Sequence, residues 1–277
     1  MSDEIIKSGD TLSFEDFKNQ NGITFWWASD LMMMLGYPNM KSFEKVISRA
    51  TKALMSLDIP HYENIIPANN IVKDELITDF KLTRFACYIT VMNGDPKKQQ
   101  VAEAQAYFAT QTRQFELFIA NGDDLERLLI RDEIKEGTKS LNAIAQNAGV
   151  SDFARFTNAG YLGMYNMESW RLENLRGAKK GSLMDRMGRT ELAANLFRIT
   201  QTEERIKSQN VRGQMRLEDT HFEVGREVRK MVEKNTNKTP EQLPLEKEIP
   251  DVKKELKTGY KKMLKEDNNK VKRVRRK

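Results

Sequence analysis

The chain has 277 residues, of which 39% are hydrophobic and 31% charged, enough to fill a core and still solvate the surface. Its net charge of +6 is uneven: residues 251–277 hold 12 Lys/Arg against 4 Asp/Glu, a balance of +8, which leaves residues 1–250 at −2. A single cysteine, Cys87, excludes an intrachain disulfide, and two histidines far apart, His61 and His221, argue against a zinc site. The acidic start MSDEII lacks a secretory pattern and no apolar run reaches the length a membrane helix requires, so a cytoplasmic protein without membrane contact is expected.

Ser13 to Asn19 reads as a short capped helix, with Ser13 and Asp16 at capping-box spacing. The β-branched and aromatic run Ile23–Trp27 predicts a strand. A helix over Leu31–Leu35 follows, capped by Ser29 or Asp30 and ended by Gly36 and Pro38. The clearest period lies in residues 41–57, where Phe43, Val46, Ile47, Ala50, Ala53, Leu54 and Leu57 make one apolar helical stripe. Residues 60–81 carry no helix period and read as short strands at Ile65-Ile66, Ile71-Val72 and Ile77–Leu82, with turns at Pro67 and Asn69-Asn70.

Thr83 caps a helix running to Asn93. Asn93-Gly94-Asp95-Pro96 stops it and starts another, with Pro96 in the first turn, which continues to about Ala120. From Asp123 to about Glu233 the pattern is helical, with breaks at Gly160–Tyr165 and Gly177–Gly188. Beyond Asn235, Pro240, Pro244, Pro250 and dense charge predict a linker and a disordered basic tail. The fold class expected is α+β, predominantly helical. It comprises a small mixed module over 14–121, a helical domain over 122–235, and a proline-containing linker with a flexible tail over 236–277.

Three blocks carry a family likeness. The first is Phe25-Trp26-Trp27-Ala28-Ser29-Asp30-Leu31, with Leu35-Gly36-Tyr37, Phe43 and Lys45-Val46-Ile47. The second is Leu82-Thr83-Arg84-Phe85-Ala86-Cys87-Tyr88, with Asn93–Lys98, Tyr107-Phe108-Ala109 and Gln111-Thr112-Arg113. The third is Asn158-Ala159-Gly160-Tyr161, with Glu191–Arg198 and Thr220–Gly225. Over about residues 14–245 the chain resembles the DNA-damage-inducible protein D family, and its N-terminal third resembles the Bro-N module of phage and baculovirus proteins. The resemblance implies a bacterial damage-response protein acting on DNA, single- or double-stranded, or on a RecA-type recombinase filament. The chain departs from the module at Pro38-Asn39-Met40-Lys41, where an Asn-Pro-basic stretch is usual, so no base contact is carried over to that turn.

Lys41, Lys45, Arg49 and Lys52 fall within an arc of roughly 80° at about 100° per residue. Such a row can follow a phosphate backbone, or it is the solvated side of a surface helix. Arg84, Lys97, Lys98 and Arg113 form a second candidate set, with Lys97 and Lys98 expected beside a helix N-terminus. Lys179 and Lys180 belong to a stretch with Arg171, Arg176, Arg186 and Arg189, opposed by Glu173 and Asp185. Trp26 and Trp27 offer stacking faces, although alternation places one of them in the core.

Leu141, Ile144, Ala145, Ala148, Gly149 and Val150 mimic the first helix and turn of a helix-turn-helix, but the run into Asn158-Ala159-Gly160 predicts a second helix too short to read a groove. Glu133-Ile134-Lys135 is a Glu-x-Lys triplet of the kind found in metal-dependent nucleases, here without a matched upstream aspartate or a clear surrounding strand. The final eight residues, Lys270–Lys277, hold six cations and can attract any polyanion. No catalytic residue, metal ligand or cofactor motif is assigned. The function expected is a non-catalytic regulator, with a phage-type antirepressor working through protein contacts as the alternative and a metal-dependent nuclease as a remote one.

Overall fold

A computed structural model describes residues 14–21, 23–72, 75–111 and 122–274. They fall into two compact units divided between Ala120 and Asn121, with the chain from Leu256 onward belonging again to the first. No helix among the described residues is long and apolar enough to cross a membrane. The combination of one small sheet with many helices makes the protein α+β and predominantly helical.

The first unit opens with a 3-10 turn at Phe14–Phe17, then β1 (Asn19–Asn21), β2 (Ile23–Trp27), α1 (Ala28–Met34) and α2 (Met40–Ser56). It continues through α3 (His61–Asn64), β3 (Ile65–Val72), β4 (Glu75–Leu82), α4 (Arg84–Met92) and α5 (Gln99–Gln111). The sheet is antiparallel throughout, in the order β1-β2-β4-β3. β3 and β4 pair along their whole length, from Ile65↔Leu82 to Val72↔Glu75, whereas β2 meets β4 only at Trp26↔Leu82 and Trp27↔Lys81.

β3 is therefore one strand where sequence suggested fragments with turns at Pro67 and Asn69-Asn70. Pro67 is tolerated because β3 is an edge strand, where a missing N–H need not break a shared ladder. Asn70 is held in the strand by a polar partner: its side chain donates to the Asp79 carboxylate at 3.0 Å. The same buried carboxylate accepts the Ser29 hydroxyl at 2.6 Å and the backbone N–H groups of Ser29 and Phe80. With Ser29 so engaged, α1 begins at Ala28 and takes no side-chain cap from Ser29 or Asp30, contrary to the sequence expectation. Burial and the nearby Asp79 charge raise the Asp30 carboxyl.

α2 fits its sequence signature. Asn39 caps it by accepting from the Ser42 N–H at 2.9 Å, and the stripe from Phe43 to Leu54 is buried. Thr83 caps α4 as expected, and Phe85–Val91 are all buried, which makes α4 the central helix of this unit. Phe14 stacks on Trp26 with centroids 4.5 Å apart and receives the indole N–H at its carbonyl.

The second unit is built of α6 (Gly122–Asn147), α7 (Phe153–Tyr165), α8 (Ser169–Leu175), a 3-10 turn at Leu183–Arg186, α9 (Arg189–Ser208) and α10 (Gln214–Thr236). A further 3-10 turn at Pro240–Gln242 precedes α11 (Ile249–Val274). α7 packs on α10 and α6 on α9. The expected break at Gly160–Tyr165 does not occur: α7 runs through both glycines, which serve close packing. A Cβ at Gly163 would lie 2.1 Å from the Phe222 carbonyl oxygen, and one at Gly225 would lie 2.7 Å from that of Gly160. The break at Gly177–Gly188 is present, as a turn with Gly177 and Gly181 at positive φ followed by the 3-10 turn. Arg127, almost wholly buried, gathers the carbonyls of Met187, Asp185 and Lys247 at 2.8–3.0 Å and fixes the segment before α11.

Residues 236–277, read in sequence as linker and disordered tail, include that 26-residue α11. Its helical period is masked by lysines. Val252, Leu256 and Met263 are nevertheless buried on one side. Within the first unit, Tyr260 lies against Phe85 with centroids 5.0 Å apart and accepts the Asn64 amide, and Lys257 pairs with Asp58 at 2.9 Å.

Candidate nucleic-acid interface

Lys41, Lys45, Arg49 and Lys52 are all exposed on α2, in the arc facing away from its buried stripe. The stripe centres near Ala50 and the cations about 140° away, on the flank opposite Glu44. Lys41, Lys45 and Lys52 make no ion pair among the described residues. Packing of the apolar stripe therefore fixes a row of four cations on a helix of 17 residues, at a spacing that can run beside a line of phosphates.

The second set is not brought together in this way. Arg84 is largely buried, in a two-pronged pair with Glu15 (the Nη2–Oε2 distance is 3.0 Å), and its guanidinium carbon lies 4.8 Å from the Trp26 ring. Its charge is already answered inside the fold. Lys97 is exposed, but Lys98 donates to the Gly36 carbonyl at 2.8 Å and sits over the Tyr37 ring. Both lysines lie in the turn that leads into α5 at Gln99, so they flank that helix start without entering its first turn, and the Asp95 carboxylate in the same turn accepts the Lys97 N–H. Arg113 lies outside the described residues. Trp26 is core. Trp27 is half-buried beneath Lys81, whose ammonium is 5.3 Å from its ring.

In the second unit Lys179 and Lys180 are exposed in the turn after α8. The helix-turn-helix mimic acquires a second helix of 13 residues, longer than expected, yet α7 buries Phe156, Ala159, Gly160, Tyr161, Gly163, Met164 and Tyr165. The one cation of α7, Arg155, is paired with Glu218 at 2.9 Å. Glu133-Ile134-Lys135 lies within α6, with Ile134 buried and Lys135 paired with Asp132. Among the described residues no three His, Cys, Asp or Glu side chains group as metal ligands would.

Sequence reasoning missed a buried polar cluster in this unit. Glu191, only 1% exposed, binds the Arg176 guanidinium at 2.7 Å and accepts the Tyr165 hydroxyl at 2.8 Å. Asn195 donates to that hydroxyl at 2.6 Å and accepts from Arg198 at 3.2 Å. Arg198, 3% exposed, reaches His221 Nε2 and faces the Tyr161 ring at 5.3 Å. The His221 Nδ1–H donates to the Phe156 carbonyl at 2.9 Å, which leaves Nε2 free to accept from Arg198. Burial raises the Glu191 carboxyl, with Arg176 pulling the other way. Burial, with Arg198 beside it, holds His221 well below the usual imidazole range. The signal was present in the sequence: Glu191, Asn195, Arg198 and Thr202 recur at +4, +7 and +11, a polar stripe at helical spacing. These residues form much of the third block of family likeness, so that block marks interior structure.

The comparisons agree with this division of the molecule. Residues 121–252 match the DinD C-terminal domain family, a span close to that of the second unit. The DNA damage-inducible protein D of Escherichia coli (strain K12) is 41% identical over 249 residues, covering 83% of this chain and 90% of that protein. With identity at that level over most of both chains, this protein belongs to the DNA-damage-inducible protein D family.

Proposed function

We propose that the chain is a non-catalytic protein of the bacterial DNA-damage (SOS) response, and that its Bro-N-like N-terminal unit meets DNA phosphates through the cations of α2. The name of the Escherichia coli relative supports the link to damage. The observation that carries the DNA contact is the exposed row Lys41, Lys45, Arg49 and Lys52, fixed by the buried stripe on the other side of the same helix. On this reading the protein acts on DNA itself or on the recombinase filament that damage assembles on single strands, and Lys97, Lys179 and Lys180 add long-range attraction.

The test is a salt titration of binding to matched single- and double-stranded oligonucleotides. Replacing all four α2 cations with glutamine is expected to weaken binding. The slope of log K against log salt should fall by about 0.9 for each duplex phosphate no longer neutralised, or about 0.7 on single strands. Unchanged affinity and slope would remove α2 from the interface. A second reading, a phage-type antirepressor that holds a protein partner, is favoured by the half-exposed Phe197 and Met231, which line a cleft of about 340 Å³ on the helical unit. On that reading the glutamine variant keeps both its partner and its activity in cells.

A further inference from the structure

We infer that Trp170, together with Arg171, Lys179 and Lys180, forms a contact site for an unpaired nucleic-acid strand on the helical unit, distinct from the α2 row. α8 buries one side of a short helix through Leu172. At about 100° per residue, Trp170 and Asn174 lie about 160° from Leu172 and Arg171 about 100° from it, and all three are exposed. Trp170 is 53% exposed, while Trp26 is core and Trp27 half-buried. Its ring is held in place: the indole N–H donates to the Glu168 carboxylate, and the Arg171 guanidinium carbon lies 5.9 Å from the ring centroid. A fixed indole with a guanidinium beside it is a surface on which a base can stack, because every base has a π-face.

The surrounding charge suits a phosphate chain. Arg171, Lys179 and Lys180 make no ion pair among the described residues. Of the carboxylates in this stretch, Asp185 is paired with Arg131 at 2.9 Å, while Glu168 and Glu173 keep their charge and accept from neutral donors, the indole N–H and the Gly181 N–H (2.8 Å), so the three cations outnumber the two unpaired acids. The Glu173 bond also folds the lysine turn back towards α8. A duplex gains little from this arrangement, since its base faces are already stacked on one another. The aromatic group therefore selects unpaired strands, while the cations bind either form.

The experiment uses the full chain with Trp170→Ala and Trp170→Phe, each made in the parent and in the α2 glutamine variant. The probes are oligothymidine and a duplex of equal length. Trp170→Ala is expected to weaken oligothymidine binding about tenfold or more, the usual range for losing one base–aromatic stack, and to leave duplex binding unchanged. Trp170→Phe retains most of the affinity. Oligothymidine quenches tryptophan emission in the parent, and that quenching is lost in Trp170→Ala although Trp26 and Trp27 remain. Parental oligothymidine affinity in Trp170→Ala, or an equal loss on both probes, overturns the inference. Because Trp170 lies on the surface, matching far-ultraviolet circular dichroism of the variants shows that folding is not the cause. If the α2 substitutions alone are silent, the α2 reading fails while the Trp170 site stands.

Discussion

Glu191 and Arg176 meet inside the helical unit, where each charge is tolerable only because of the other. Replacing Arg176 with methionine strands a buried carboxylate, and urea unfolding is expected to show a loss of about 3–5 kcal/mol. The double replacement Arg176→Met with Glu191→Leu should recover much of that loss, since no uncompensated charge remains. His221 gives this interior a pH dependence. Its folded-state affinity for a proton is well below that of the unfolded chain, whose imidazole titrates near 6.5. As pH falls below that value the unfolded chain takes up a proton that the folded one refuses, so stability present above pH 6.5 is lost on acidification. Denaturation midpoints across this range should slope downward toward acid for the parent, with a shallower slope for His221→Asn. At this scale sequence is least informative. Nothing near Arg84 in the chain shows that Glu15, 69 residues away, takes its charge. Only the fold shows that Arg198 and His221 face each other.

Among the elements, α2 was legible because one strong apolar period coincides with a capping Asn39 and no competing breaker. β3 was not, because Pro67 and the paired asparagines carry turn chemistry that an edge position and the Asp79 carboxylate override. α7 was misread for the opposite reason: Gly160 and Gly163 look like breakers, yet they allow α10 to approach at backbone distance. Gly163→Ala tests this. Its added methyl would overlap the Phe222 carbonyl, and α7 can relieve the clash only by moving off α10. A destabilisation of about 3 kcal/mol is expected by urea titration, although alanine is the better helix former. A neutral or stabilising result would mean that the helices separate at little cost. The α2 row belongs to this scale too, since its four cations act as a group only while the stripe beneath them stays docked.

For the molecule as a whole, the sequence yielded the α+β class and the early sheet, but its segmentation into successive pieces ran against the path of the chain. Lysines hid the apolar stripe of α11, and the chain from Leu256 belongs with the first unit. Ending the chain after Glu255 removes Leu256, Tyr260 and Met263 from that unit. Burial of two aliphatic side chains alone corresponds to about 3–6 kcal/mol, so the truncated protein should melt at a lower temperature and expose Phe85. Deleting this segment to remove its positive charge therefore confuses an electrostatic effect with an unfolding one. Substituting the lysines on the exposed side of α11 with glutamine keeps the helix while lowering the charge.

The return of α11 also sets an order on synthesis. The helical unit emerges from the ribosome entire, as a continuous stretch that can close on itself, while the earlier-made sheet and its helices wait with one flank uncovered. Asn64 and Phe85 meet Tyr260 only after the whole helical unit has been translated, so the unit begun earlier is closed later.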